Sequence, residues 1–284
     1  MNGLIMLDQH KMKNLIQTVI CMIFFGLVSN ISQAAPKSEL LPQWKQSNEE
    51  NLASIDHNLW QDILDNYVNT SSSGVNLVAY SKLKNDDFET LTSYVEKLKA
   101  IDPRQYNLKE QFAYWVNLYN AATVLLIIEN HPIASITKIK DGLFSFGPWD
   151  KEWIDVAGET LSLNDIEHRI LRPIWNDERI HYAVNCASIG CPNLSKQAFT
   201  SVNTEALLEQ AATAYINHPR GVNIIDGKLQ LSSIFDWYKV DFEKDNSTLI
   251  EHINEYANDS LKVQLNSLKG DKFDHDYDWS LNES

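Results

Sequence analysis

The chain has 284 residues, 44% hydrophobic and 22% charged, with 38 acidic against 24 basic side chains and a formal net charge of −14. That apolar fraction supports a folded core. The acidic excess excludes a generic nucleic-acid binder or a surface docked on anionic lipid, both of which need clustered Lys and Arg. With only 10 glycines and no G-x-G-x-x-G, Walker, H-E-x-x-H or EF-hand spacing, no familiar cofactor signature is present, and neither a cofactor nor a metal is expected.

In chain order, Lys11 and Lys13 precede a mostly apolar run over 15–28, and small residues follow at Ala34 and Ala35. A basic start, an apolar middle and small residues before a cut predict a secretory signal peptide over 1–35, removed near Ala34 or Ala35. Either Met1 or Met12 serves as its start. The mature protein is then expected in the periplasm or outside the cell, off the membrane, with Cys186 and Cys191 as its two cysteines. In an oxidising space such a pair is open to disulfide formation.

Residues 36–50 are polar without a sustained period and predict a flexible lead-in. No repeat or linker divides the rest of the chain, so 51–284 reads as one globular domain. Asp56 suits the N-cap of a helix carrying Leu59, Ile63 and Tyr67; residues 75–80 read as a short strand. Leu91, Tyr94, Val95 and Leu98 share one face of a helix over 88–98. The stretch 109–129 is apolar nearly all round and predicts a buried helix, ended at Asn130-His131-Pro132. Residues 153–163 read as a hairpin around Gly158. Ser162 with Asp165 forms a capping box for a helix through Leu171 that Pro173 stops. Residues 180–185 are β-rich and 203–216 helical. Asp226-Gly227 between apolar runs predicts a hairpin with a type I′ turn, and 234–242 and 247–256 close the chain as helices. The class is α+β, a mostly helical single domain with a small antiparallel sheet of hairpins.

Four clusters carry chemical potential. Asn117 and Asn120 share a face of the buried helix, where each amide either ties down neighbouring backbone or donates to an oxyanion. His168 lies in Asp165-Ile166-Glu167-His168-Arg169 and faces either the core or a cleft; imidazole is the commonest general base near neutral pH. His181-Tyr-Ala-Val-Asn185-Cys186-Ala-Ser188-Ile-Gly-Cys191-Pro192 runs into a small-residue loop holding both thiols. In an extended run His181 and Asn185 share one face and Cys186 points away. The pair admits a disulfide, a thiolate nucleophile with a histidine base, or zinc, for which the C-x₄-C spacing is loose. Finally, Asp236 in Phe235-Asp236-Trp237-Tyr238 either orients a histidine or caps the helix it begins.

Taken together these blocks resemble one family. Phe112 to Ala121, Leu161 to Arg172, His181 to Pro192, Phe235 to Tyr238 and Tyr277 to Asn282 are similar, in that order, to the motifs of the domain of unknown function 547 family. Asn193 stands where many of its members have a second proline. The resemblance implies that Asn117, Asn120, His168, His181, Cys186, Cys191 and Asp236 occupy motif positions, and it implies no settled activity.

The expected function is a thiol-dependent hydrolase or acyltransferase acting on an amide or ester, with a papain/transglutaminase-like arrangement as the fold that would suit it. Cys186, preferred over Cys191 because the latter precedes proline, attacks the carbonyl. His168 takes the proton and Asp236 orients the imidazole. Asn117, Asn120, His181, Ser188, Trp237 and Tyr238 surround a small-molecule, peptide or glycan substrate. The alternative is a non-catalytic peptide- or glycan-binding domain stapled by a Cys186–Cys191 disulfide; a redox pair comes third, because C-x₄-C is not the C-x-x-C of thioredoxin-like enzymes.

Overall fold

Asn107 starts the long apolar helix by accepting the Glu110 N–H at 3.0 Å, and Leu108–Asn130 then runs 23 residues with every position from Glu110 to Ile128 buried. The computed structural model of the protein describes residues 36–140, 142, 146–243, 248–268 and 273–284; the expected signal peptide lies outside them. The long helix is apolar enough to cross a membrane by length and composition, yet it is wholly enclosed by the rest of the fold. Helices Tyr80–Asp86 and Phe88–Lys99 pack on it, and Asn58–Tyr67 packs against both. The face foreseen for the second of these is the buried one: Leu91, Tyr94, Val95 and Leu98 are all inaccessible.

A second, smaller core gathers Tyr182, Tyr215, Phe235, Phe242 and Ile253, between helix Thr204–Ile216, a sheet and the closing helices. Strands Val222–Ile225 and Lys228–Ser232 form the sheet's antiparallel hairpin. Its turn residues Asp226 and Gly227 have φ of +50° and +72°, the pair of positive values a type I′ turn needs. Two further antiparallel hairpins pair Val68–Thr70 with Asn76–Val78 and Ile154–Val156 with Glu159–Leu161. The fold is therefore α+β, helix-rich with small hairpin sheets.

The sheet gains a third strand, Phe273–Asp276, parallel to Lys228–Ser232. Its Phe-Asp-His-Asp sequence lacks apolar alternation and gave no strand signal. From it the chain runs back over the cysteine loop, where Gly190 N–H donates to the Asp278 carbonyl at 2.8 Å and Ile189 N–H to that of Ser280 at 2.8 Å. A Cβ on Gly190 would lie 2.8 Å from Asp278 N, so only glycine lets these backbones meet.

Three expectations are corrected. The stretch 36–50 is packed rather than a loose lead-in: Glu39 N–H donates to the His168 carbonyl at 3.1 Å, Leu41 N–H to that of Arg169 at 3.0 Å, and Trp44 is fully buried, edge-on to Trp115 at 5.1 Å. The cause lies in the partner segment. The Ser162–Asp165 capping box forms, but Asp165–Leu171 winds as a π-helix, and Pro173 then continues it into Arg172–Trp175 instead of stopping it. Pro173 has no N–H to offer the preceding turn, and the carbonyls of His168 and Arg169 accept from Glu39 and Leu41. Replacing Trp44 by alanine is expected to cost about 3–5 kcal/mol, read as a drop in the denaturant midpoint.

The β-rich stretch is the third correction. Ile180–Ala183 is one helical turn, set up by Asp177 accepting the Arg179 N–H at 2.9 Å, and the chain becomes extended only at Val184. The alternation argument for His181 therefore does not apply.

Candidate functional site

The thiol loop is held from beneath by the long helix. Asn120 donates to the Ala183 carbonyl at 2.9 Å and accepts the Asn185 N–H at 2.8 Å. Asn117 clamps Phe199 in the same way, at 2.8 and 3.0 Å. Both amides are thus committed to backbone, and the tying-down role describes them. Asn120→Ala would strand a buried carbonyl and a buried N–H, an expected loss of about 2–4 kcal/mol measurable by chemical unfolding.

Past that anchor the chain turns through Ala187, whose φ is +58°, and brings the cysteines together. Both are free thiols, with their sulfurs 3.0 Å apart and Cys186 N–H directed at Cys191 Sγ, also at 3.0 Å. Cys186 is partly exposed, whereas Cys191 is buried. Ser188 Oγ stands 3.2 Å and Tyr277 OH 3.0 Å from Cys186 Sγ, and these two hydroxyls are 3.0 Å from each other. Burial pushes the Cys186 thiol up, but its hydrogen bonds with Cys191, Ser188 and Tyr277 outweigh it and hold the thiol below its ordinary value. Burial, with the neighbouring Cys186, pushes Cys191 well above the usual range. Burial also keeps the Tyr277 phenol protonated, so it remains a donor.

Beside the thiols lies a buried ion cluster that sequence spacing does not reveal. Glu167 accepts from Tyr119 OH at 3.0 Å and lies 3.5 Å from His181 Nδ1. His181 Nε2 meets Asp241 Oδ2 at 2.7 Å, and the ring stacks on Tyr238 at 3.8 Å. Arg172 donates to the same Asp241 oxygen at 2.6 Å, to the Pro36 carbonyl at 2.8 Å and to His168 Nδ1 at 3.1 Å. Although burial works against it, Glu167 is held at about 2 by His168, His181 and Arg172. Burial drives His168 down to about 4, leaving it a neutral acceptor of the guanidinium. The negative charge of Glu167 adds to burial in pushing the Cys186 thiol up.

The residues singled out in the sequence therefore divide. Cys186, Cys191 and Ser188 come together; His168, His181 and Tyr238 come together in the adjoining cluster. Among the described residues no hydrogen bond joins a histidine to either sulfur; the carboxylate hydrogen-bonded to His181 is Asp241, and Asp236 sits exposed on the short helix Ile234–Trp237. Trp237 belongs to a half-buried aromatic run: it lies 4.8 Å from Tyr277 and 5.6 Å from Trp279, and Trp149 is 5.7 Å from Trp279. Tyr277 links that run to the thiol. Glu167 and Arg172 flank His168 on a stretch that also carries Asp165 and Arg169, so their charges gave no separate signal. Tyr277 had none beyond its place in the terminal motif.

Set beside known proteins, residues 103–216 match the family model described as "Protein of unknown function, DUF547". No curated protein and no solved structure matches the chain.

Proposed function

We propose, from the premise that the chain belongs to the DUF547 family over residues 103–216, that it is a thiol-dependent hydrolase or acyltransferase whose nucleophile is Cys186. One observation carries this reading: a partly exposed cysteine whose sulfur is ringed by Ser188, Tyr277 and Cys191 within 3.2 Å. Hydrogen bonds from the Ser188 and Tyr277 hydroxyls to the sulfur favour thiolate over thiol, so attack needs no histidine in contact with it. The thiolate adds to the carbonyl carbon of an amide or ester, and a C–S bond forms as the bond to nitrogen or oxygen breaks. The leaving group takes the phenolic proton of Tyr277. Water or an acceptor then cleaves the thioester, returns a proton to Tyr277 and restores the thiolate. His168 and His181 serve in this reading as fixed members of the ion cluster that shapes the wall behind the loop, and the aromatic run of Trp237, Tyr277 and Trp279 offers flat surface to a peptide or sugar. The alternative is a peptide- or glycan-binding domain stapled by a Cys186–Cys191 disulfide, whose sulfurs lie 3.0 Å apart.

A p-nitrophenyl ester tests the reading. The expected result is a burst of nitrophenol with the acyl group recovered on the peptide containing Cys186, absent in Cys186→Ser and slowed about tenfold in Tyr277→Phe through loss of one charge-assisted hydrogen bond. An equal burst in the serine variant, or acylation elsewhere on the chain, would overturn it.

A further inference from the structure

We propose that Cys186 and Cys191 are also a redox-active dithiol that exchanges with disulfide substrates, Cys186 attacking and Cys191 resolving. The inference rests on the same reading of Cys186 as a nucleophile. What carries it further is the asymmetry of the pair. The sulfurs are 3.0 Å apart, yet Cys186 is a partly exposed residue and Cys191 only 5% accessible. An outer thiol that meets the substrate and an inner thiol shielded until needed is the division of labour that two-step exchange requires. The loop is built for closure. Ala187 in its left-handed conformation folds the chain back, Asn185 donates to the Pro192 carbonyl at 2.7 Å, and the pairing of Ile189 and Gly190 with Ser280 and Asp278 fixes the middle. The Cys186 N–H directed at Cys191 Sγ stabilises negative charge there as Cys191 loses its proton.

Cys186 thiolate attacks one sulfur of the substrate disulfide, forming a mixed disulfide and expelling a thiolate. That thiolate takes the Cys191 proton. Cys191 sulfur then attacks Cys186 Sγ and expels the second substrate thiolate, so the substrate gains two electrons and the pair is oxidised to a disulfide. Closure removes the thiolate on which acyl transfer depends, which makes the two activities mutually exclusive on one loop.

The probe is oxidised glutathione, added to the fully reduced protein and followed by intact mass and thiol alkylation. The expected product is a chain two hydrogens lighter, carrying no glutathione and no alkylatable cysteine among Cys186 and Cys191. Cys191→Ser should stop at a glutathione adduct on Cys186, and Cys186→Ser should react at least tenfold more slowly. A stable glutathione adduct on Cys186 of the unaltered chain would overturn the dithiol while leaving the nucleophile intact. No reaction at Cys186 would overturn both, and initial reaction at Cys191 would reverse the roles and sink the proposal. The decisive product is read on the unaltered chain, so the result does not depend on the folding of a variant.

Discussion

Arg172→Met is expected to lower the stability of the domain by about 3–5 kcal/mol, the cost of removing one partner from a buried ion pair. Arg172 is 5% accessible, and its guanidinium bonds Asp241 at 2.6 Å, the Pro36 carbonyl at 2.8 Å and His168 at 3.1 Å. Methionine fills much of the volume but leaves Asp241 facing His181 alone and deprives the segment at Pro36 of its attachment. Denaturant unfolding of the variant reads the loss directly. Adding Asp241→Asn should recover part of it, because the stranded carboxylate is then gone, and the non-additivity of the pair should exceed about 1 kcal/mol. A loss under about 1 kcal/mol for Arg172→Met would mean that the cluster is solvated and does not brace the site.

Acid is expected to destabilise the domain from about pH 6.5 downward, before its carboxylates begin to titrate. His57, His168 and His252 are each pushed down to about 4, in every case chiefly by burial. A histidine whose folded pKa lies below its unfolded value contributes stability that is complete above about 6.5 and lost as pH falls toward the folded value, because only the unfolded chain binds the proton. Each such group removes up to about 1.4 kcal/mol per pH unit in that window. Three acting together can exhaust a stability of ordinary size, about 5–15 kcal/mol, before about pH 4. Glu167 works in the same direction further down, since its carboxylate is held at about 2 and its contribution fades below the normal carboxylate range. The midpoint of urea unfolding should therefore fall steeply between about pH 6.5 and about 4.5, and His252→Gln should flatten the slope. A midpoint constant across that interval would show that the three rings take up protons without leaving their sites.

Much of the fold could be read from the sequence because it follows local rules. The buried helix announced itself by an apolar surface with no polar stripe, the Asp226-Gly227 hairpin by its turn chemistry, and the Ser162–Asp165 cap by its spacing. The cysteine loop was legible as a place, since two thiols so near in sequence among small side chains must lie close. What could not be read were features set by tertiary context. A π-helical turn departs from the 3.6-residue period on which helix patterns rest. It also left the carbonyls of His168 and Arg169 to be capped from a distant part of the chain, through Glu39 and Leu41. Strand Phe273–Asp276 borrows its pairing from Lys228–Ser232 and its own residues carry no pattern. The base sought for the thiol was a histidine because that is the usual partner. Here the hydroxyls of Ser188 and Tyr277 occupy that position, and the histidines are engaged by Glu167, Arg172 and Asp241.

The central claim is that hydrogen bonding, rather than a histidine, makes Cys186 a nucleophile. Its most direct test is the pH dependence of Cys186 alkylation by iodoacetamide in the reduced protein, read peptide by peptide. The expected profile is a single rise with its midpoint below that of an ordinary cysteine, displaced upward in Tyr277→Phe and unmoved in His168→Gln, with Cys191 unlabelled throughout. A midpoint at or above the ordinary thiol value, or one that shifts with His168 and not with Tyr277, would contradict it.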